Sequence, residues 1–479
     1  ERSVDKGDDF HLKNKEKRIV RANITVISFC LSIVRVNGMH NFKVLIIGSG
    51  PAGLFAAIWL ERMGVDQIAV LDRNHFPSGG LLNDGKLNFD YRVGIDLDEL
   101  RIERSEAQEL MDEVKRICIA FPRCQQVTFI KNNEKIDAWQ KIAGEKGVEF
   151  IAPEQWHYGT DNGRLFVTYL RDQLRHTTFF LGTEVLSVKK RNGEFCLVCG
   201  TDQQRKEYTG KIMLASPGRS GAYWFRDTSR EMGVNNNFGP IDVGIRVELN
   251  REFYDSITDV IYDPKFIFRT SRHNDRVRTF CTNPGGRVRI ENYDNFKLVN
   301  GDALFDRKTE NTNFALLNTV SLTQPFSDTT EFGRMIAQQF FLLGGGRPIV
   351  QRIGDFREGN RSSQSTFDSK TRHFDRCRAT YKAVPGDITL GLPARIVDNL
   401  WESLKTLDKI VPGILHPSTL LYAPEIKFFD THFPTDQYLE TNIEGLFVAG
   451  DGTGKSRGIV GAAVSGIIAA KGIVKKFFR

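Results

Sequence analysis

The six residues GSGPAG, Gly48 to Gly53, constrain this chain more than any other stretch because of what flanks them. Before them runs FKVLII, an apolar segment of strand length, and after them LFAAIWLERMG carries apolar residues at helical spacing. QIAVLDR follows as a second buried strand. A strand, a glycine turn, a helix and a parallel strand make a βαβ unit, the opening of a doubly wound parallel sheet. In such a unit Gly48 makes the tight turn, Gly50 lets phosphates approach the backbone and Gly53 lets the helix pack closely on the strand. Pro51 and Ala52 open the helix, whose unpaired N–H groups and positive dipole end favour a pyrophosphate.

Asp72 lies 19 positions after Gly53, at the end of QIAVLD, with Arg73 beside it. A carboxylate there accepts hydrogen bonds from free ribose hydroxyls and repels a 2′-phosphate, which leaves the adenosine of FAD or of NAD. The far end of the chain decides between them. GLFVAGDGTG places Gly450 and Asp451 directly after an apolar strand, and a helix begins near Gly458, with Ile459 and Ala462 on its first turns. This resembles the segment of the large FAD-binding superfamily whose acid holds the ribityl chain. A helix N-terminus there would stabilise negative charge at flavin N1 and the C2 oxygen on reduction. The expected cofactor is therefore FAD. The expected fold is α/β, a Rossmann-type FAD-binding domain assembled from the N- and C-terminal segments with an inserted α+β substrate domain.

The domain limits follow from texture. Residues 39–225 form the N-terminal part of the FAD-binding domain, 226–420 the insertion and 421–479 the C-terminal part. Within the first part, DLDELRIERSEAQELMDEVKRICIAF reads as one long amphipathic helix. TTFFLGTEVLSVKKRNGEFCLVCG reads as strands joined at Asn192 and Gly193, with Val185 early in the run, and KIMLASPGRSG as a buried strand ending at Ser216 and Gly218. Residues 1–38 pair a basic stretch with an apolar run too short to span a bilayer, and read as a poorly ordered extension before a first strand beginning at Phe42. The last helix is long and apolar, but Lys471 and its many small residues suit a helix packed on the sheet and cofactor, with no membrane span.

Length, 479 residues, and 40% hydrophobic content allow a sizeable core. The net charge of +7 favours anionic ligands. Seven scattered cysteines do not suit a secreted disulfide framework and point to the cytoplasm. Strand alternation sends Cys196 and Cys199 to opposite faces, which excludes a redox or zinc pair there, and no zinc-ligand cluster occurs elsewhere.

Further motifs carry a family resemblance. SGGLLNDGKLNFD, WHYGTD, GIRVE, TFCTNPGG, LVNGD and GDGTGKSRGIVGAA resemble, in order, the signatures of the NAD(FAD)-utilizing group of FAD-dependent dehydrogenases, within the glutathione-reductase-like FAD-binding superfamily. The resemblance covers Met39 to nearly the end. It implies a flavin-dependent oxidoreductase, a dehydrogenase or reductase that exchanges hydride with an organic substrate, and is silent on which substrate. Two positions depart from the pattern: Asn283 stands where members carry a second cysteine, and Asp451 where they carry a glutamate.

The loop SGGLLNDGKLN follows Asp72 closely enough to fold back over the cofactor, so Gly79, Gly80, Leu81, Asn83 and Lys86 are expected to bind it, Lys86 also stabilising charge at the flavin. His157, with Asp161 beside it, is the expected acid/base group. Cys281, on a strand end before a Pro-Gly turn, would face the flavin or fill the insertion's core. Arginines 269, 272, 276, 278, 287 and 289 would line a cleft for a small anionic substrate or lie on solvated strand faces. No second GxGxxG follows a strand and opens a helix, so NAD(P)H would bind only transiently beside the flavin. Two other readings are kept: a nucleic-acid-modifying flavoprotein, and a flavin-bearing binding protein without turnover.

Overall fold

A computed structural model describes residues 36–478 apart from 78, 131–132, 201–204, 294, 369–375 and 429–430. Residues 1–35 of the expected extension lie outside the described residues. Its last three open the first strand, Val36–Ile47, which thus starts six residues before Phe42.

That strand pairs in parallel with Ile68–Asp72 on one side and Arg205–Ala215 on the other. Arg205–Ala215 in turn pairs in parallel with Leu446–Val448, from the far end of the chain. The sheet is therefore closed by both termini, as the glycine motifs required. Thr177–Leu181 extends it in parallel beyond Ile68–Asp72, and on the other side it runs antiparallel through Glu194–Gly200 and Val185–Arg191, joined by a tight turn in which Asn192 and Gly193 both take positive φ. In Glu194–Gly200 Cys199 is buried and Cys196 only half-buried, on opposite faces.

Helix Pro51–Arg62 lies on the sheet with nine buried side chains or glycines along it. The C-terminal helix, Gly458–Phe477, packs across it so closely that a Cβ on Gly466 would sit 2.1 Å from Ala52 O. This explains the Gly/Ala-rich composition: small residues let two helix backbones approach. The helix is long and apolar enough to cross a membrane, yet 83% of its apolar window is buried inside the protein. The segment expected as one long helix is broken. Leu97–Leu100 stops at Arg101, which takes φ +54°, and a second helix runs over Arg104–Ile119.

The second unit is an eight-stranded, largely antiparallel sheet. Its order is Val384–Pro385, Ile349–Arg352, Leu420–Lys427, Ile241–Asn250, Asn311–Val320, Arg276–Asn283, Lys265–Arg269 and Glu149–Ile151. It draws strands from 149 and from 427, beyond the 226–420 span expected from texture. In Ile241–Asn250 the residues Val243, Ile245, Val247 and Leu249 enter an apolar core shared with helices Thr329–Leu343 and Ala394–Ile410. The alternate positions Asp242, Arg246 and Glu248 point the other way. They are buried as well, at 0–1% exposure, because that face is covered rather than solvated. The hairpin Arg287–Asn292 with Lys297–Asp302 lies over it.

Candidate functional site

A cavity of about 960 Å³ runs between the two units, near the upper end of the range usual for small-molecule sites. One end is the dinucleotide cradle. Gly48 has φ +94°, and a Cβ there would strike Ser216 O at 2.2 Å, so the turn admits only glycine. Gly50 caps the first helix in extended geometry with no side-chain cap, leaving the N–H groups of the first turn open to a ligand. At Gly218 and Gly458, also on the wall, a Cβ would meet nothing within 4 Å. This open, amide-lined cradle at two helix N-termini fits FAD: Gly50, Pro51 and Ala52 would hold the pyrophosphate, and Gly450, Asp451 and Gly458 the flavin end.

Asp451 accepts hydrogen bonds from Ser456 Oγ at 3.0 Å and Gly458 N–H at 3.3 Å, which ties the acid to the start of the C-terminal helix. Burial pushes its pKa up, against the pull of Arg219 and those bonds. Arg219 links the two units: its Nε lies 4.0 Å from Asp451 and its guanidinium 3.8 Å from Glu291 on the hairpin.

Of the residues expected to bind cofactor, Gly48, Gly50, Pro51, Ala52, Asp72, Arg73, Gly79, Gly80, Asn83, Lys86, Val185, Ser216, Gly218, Gly450, Asp451, Gly458, Ile459 and Ala462 line this cavity. Gly53 and Leu81 do not. Gly53 lies beneath the turn, where a Cβ would sit 2.0 Å from Gly48 O, and the Leu81 side chain is wholly buried in the core. Asp72 already accepts from Ser49 N–H and Oγ, and from the backbone and side chain of Asn74. These four bonds fill its acceptor sites, so ribose hydroxyls would displace one of them. Glu184, not foreseen from sequence, lines the same cavity.

The other end carries the reactive groups. Cys281 sits in a bulge of strand Arg276–Asn283, with φ +52°. Strand alternation presents Arg276, Arg278 and Phe280 to the cavity and would turn Cys281 away, but the bulge brings the thiol to the cavity as well. Its Sγ donates to Asp84 Oδ2 at 2.8 Å. Lys86 Nζ lies 3.5 Å from that sulfur, 3.2 Å from Asp84 and 3.0 Å from Asp263, and donates to Thr282 O at 2.6 Å. Burial alone would lower the Lys86 pKa, but Asp263, the Cys281 sulfur and Asp84 together hold it above the ordinary range. Burial works against ionisation of Asp84, yet Lys86 and the Cys281 bond keep its carboxyl below the usual range. Burial, then the Asp84 charge, raises the thiol pKa, so Cys281 stays protonated.

Two expected catalytic residues are not part of this group. His157 is 1% exposed, outside the cavity lining, with Nε2 bonded to Asp84 O at 3.0 Å and its ring against Tyr262. Burial and the nearby Lys308 push its pKa down to about 4. It is a neutral structural imidazole, and the proton-donor expectation falls. Asp161 accepts from the backbone N–H groups of Phe305 and Asp306 at 2.9 and 3.0 Å and pins that loop, away from the cavity. Of the six arginines, 276, 278 and 289 line the cavity; 269, 272 and 287 do not. Arg219, Asp263, Lys265, Lys427 and Arg457 were missed. Lys427, ending the wholly buried strand Leu420–Lys427, carried the one readable signal, a charge in an apolar context.

Comparisons with known proteins agree with the cradle. Residues 41–79 match a family model described as an FAD binding domain, and residues 240–427 one described as FAD-dependent protein, C-terminal domain-like. An uncharacterized protein of Clostridium beijerinckii is 25% identical over 473 residues, spanning 91% of this chain and 81% of that protein. Among solved structures, a quinol fumarate reductase chain of E. coli is 13% identical, with a TM-score of 0.43 over 92% of this chain and 71% of that one. Glycine oxidase from Geobacillus kaustophilus is 11% identical, with a TM-score of 0.41 over 91% of this chain and 95% of that one. At these values the structural likeness carries no functional weight. The matched FAD-domain models and the glycine cradle agree on the cofactor: the chain is an FAD-dependent flavoprotein.

Proposed function

We propose that this FAD-dependent oxidoreductase exchanges hydride between its flavin and an organic substrate held at the Cys281 end of the cavity, as a member of the NAD(FAD)-utilizing dehydrogenases. The observation that carries the reading is the continuity of one cavity from the glycine cradle to the Asp84, Lys86 and Cys281 group. FAD supplies the two-electron chemistry when bound, and the protein orients it. Asp451, with the start of the C-terminal helix, orients the flavin end, and Arg219 holds the hairpin wall against it. Cys281 holds a proton at Sγ, kept there by burial and by Asp84, and is placed to deliver it to a substrate atom that gains negative charge. The buried Lys86 fixes Asp84 and so the thiol.

The cationic groups sit inside the cavity, which favours a small substrate over nucleic acid. NAD(P)H, as a transient donor, would enter through the same opening. The described cysteines are all unpaired, in keeping with a reducing compartment such as the cytoplasm.

An anaerobic screen of the FAD-loaded protein against NADH, NADPH and reduced organic donors tests the reading. The expected result is donor-specific bleaching of the oxidised flavin band, and in Cys281→Ala unchanged bleaching but slower reoxidation of the bleached flavin by an organic acceptor. Flavin that dithionite reduces but no organic donor or NAD(P)H bleaches would refute hydride exchange.

A further inference from the structure

Strand Arg276–Asn283 lays Arg276, Arg278 and Phe280 along the cavity wall at alternate positions. Around the Phe280 ring three cations converge: Arg278 Cζ at 4.8 Å, Lys265 Nζ at 5.6 Å and Lys427 Nζ at 5.7 Å from its centroid. Lys265 and Lys427 are 6% and 2% exposed, so their charges are desolvated.

Their counter-charges are shared. Asp263 serves both Lys265 at 2.6 Å and Lys86 at 3.0 Å, the latter also touching Asp84. Glu425 serves both Lys427 at 2.8 Å and Arg246 at 2.6 Å. Asp242 pairs with Arg278 at 2.6 Å and also faces Arg276 and Arg457, to which Glu149 and Asp96 respectively add a weaker pull. Arg276 makes no ion pair or side-chain hydrogen bond among the described residues. Across the cavity lining as a whole, eleven Lys and Arg residues stand against seven Asp and Glu, so positive charge is in surplus. Burial and then the Arg278 charge lower the Arg276 pKa, and burial with Arg278 beside it brings Arg457 down to about 10. Surplus cations held partly out of water on a cavity wall are relieved by a bound anion.

The wall beside them is aromatic. Tyr293 and Phe296 stack at 4.9 Å, and both line the cavity.

We propose that this wall is the receptor for an organic carboxylate, its anionic head on Arg276 and Arg278, neighbours on one strand face beside Phe280, and its apolar or planar body against Tyr293 and Phe296. The proposal deepens the hydride-exchange reading and rests on it. It assigns the substrate class, and it separates the substrate anion from the cofactor's own phosphates, which belong to the helix N-terminus at Gly50. Either anion would satisfy the cations, so the test distinguishes them.

FAD-loaded protein is titrated with benzoate and with its neutral counterpart benzamide at constant ionic strength, following the flavin difference spectrum. Benzoate is expected to perturb the flavin and to bind at least about tenfold more tightly than benzamide. Arg276→Met, which strands no carboxylate of its own, is expected to weaken benzoate by about tenfold at unchanged FAD content, with Arg276→Lys restoring part of the loss. Equal binding of benzoate and benzamide, no perturbation by benzoate, or undiminished binding by Arg276→Met would each overturn the proposal. Loss of FAD from Arg276→Met would overturn it too, by assigning the wall to the cofactor's pyrophosphate. Flavin content and dithionite reducibility are read in the same samples, so failure of the anion receptor is distinct from failure of the flavin reading.

Discussion

Gly50 and Gly53 stand three residues apart in one motif, yet the structure gives them separable roles, and substituting each by alanine tests whether the cradle holds a pyrophosphate. At Gly50 the backbone is extended, φ −75° and ψ −172°, and a Cβ would meet only Gly79 Cα at 3.6 Å, an ordinary contact. Gly50→Ala should therefore leave the empty protein within about 1 kcal/mol of the parent, the usual difference between residues at a helix N-cap. The added methyl lies where phosphate oxygens would approach the first-turn N–H groups. Losing two such charge-assisted bonds, at about 1.5–3 kcal/mol each, weakens FAD by about 3–6 kcal/mol, or roughly 10²- to 10⁴-fold in Kd.

Gly53→Ala does the opposite. Its Cβ would lie 2.0 Å from Gly48 O and 3.0 Å from Ser216 Oγ, so helix and strand must part. The empty protein should lose about 1–3 kcal/mol or more by overpacking. Urea unfolding of the two apoproteins, paired with FAD titration by quenching of flavin fluorescence, separates the effects. If Gly50→Ala binds FAD as tightly as the parent, the pyrophosphate does not lie over Gly50 and the cradle assignment is wrong.

Two further outcomes follow from the buried charges. His157 falls from an ordinary 6.5 to about 4, so the unfolded chain takes up its proton first as pH drops. Stability from this group is full above pH 7 and is lost as pH falls from about 6.5 to about 4, with about 2 kcal/mol gone at pH 5; urea midpoints at pH 7.5 and 5 should show this loss, and His157→Gln should abolish it. Lys86→Met leaves Asp84 with the Cys281 thiol and a long 3.4 Å bond from the residue-86 backbone N–H, and no cation, while Asp263 keeps Lys265 and the Thr282 N–H. That variant should lose about 3–5 kcal/mol in urea unfolding, and adding Asp84→Asn should recover part of it; a loss below about 1 kcal/mol would show that the cluster is hydrated rather than buried.

The cradle was legible because its chemistry is local. Gly48, Gly50 and Gly53 act through their own backbone, and Asp451 stands only seven residues before Gly458, whose N–H it accepts, so spacing along the chain carries the geometry. His157 misled for the same reason. A histidine beside a glycine turn has the composition of an acid/base site, but Asp84 O and Tyr262, which make it a neutral core residue, lie 73 and 105 positions away. Arg276 and Arg278 of the cationic wall were readable as a candidate anion cleft, but its lysines escaped notice because strands far apart in sequence bring them there. Lys265, Arg278 and Lys427 converge only once the second sheet has formed, and no window of the sequence contains all three.

The strand Ile241–Asn250 shows a further limit of pattern reading. Its alternation of apolar and polar residues is that of a half-solvated strand, yet nine of its ten positions are buried. Keeping Arg246, at 0% exposure, inside the protein is costly unless every donor is matched. It is matched: Glu425 accepts two bonds at 2.7 and 2.6 Å, and Asn313, Asn300 and the Cys281 carbonyl accept others at 2.8, 3.2 and 3.3 Å. The last bond connects this network to the site. Cys281 holds a left-handed conformation that costs a non-glycine residue about 1–2 kcal/mol, and such strain persists only where surrounding contacts over-determine it. Arg246 on its carbonyl and Asp84 on its thiol hold the residue from both sides. The buried polar face thus has a physical purpose: it fixes the bulge that turns a thiol, destined by alternation for the opposite face, toward the cavity where the flavin is expected.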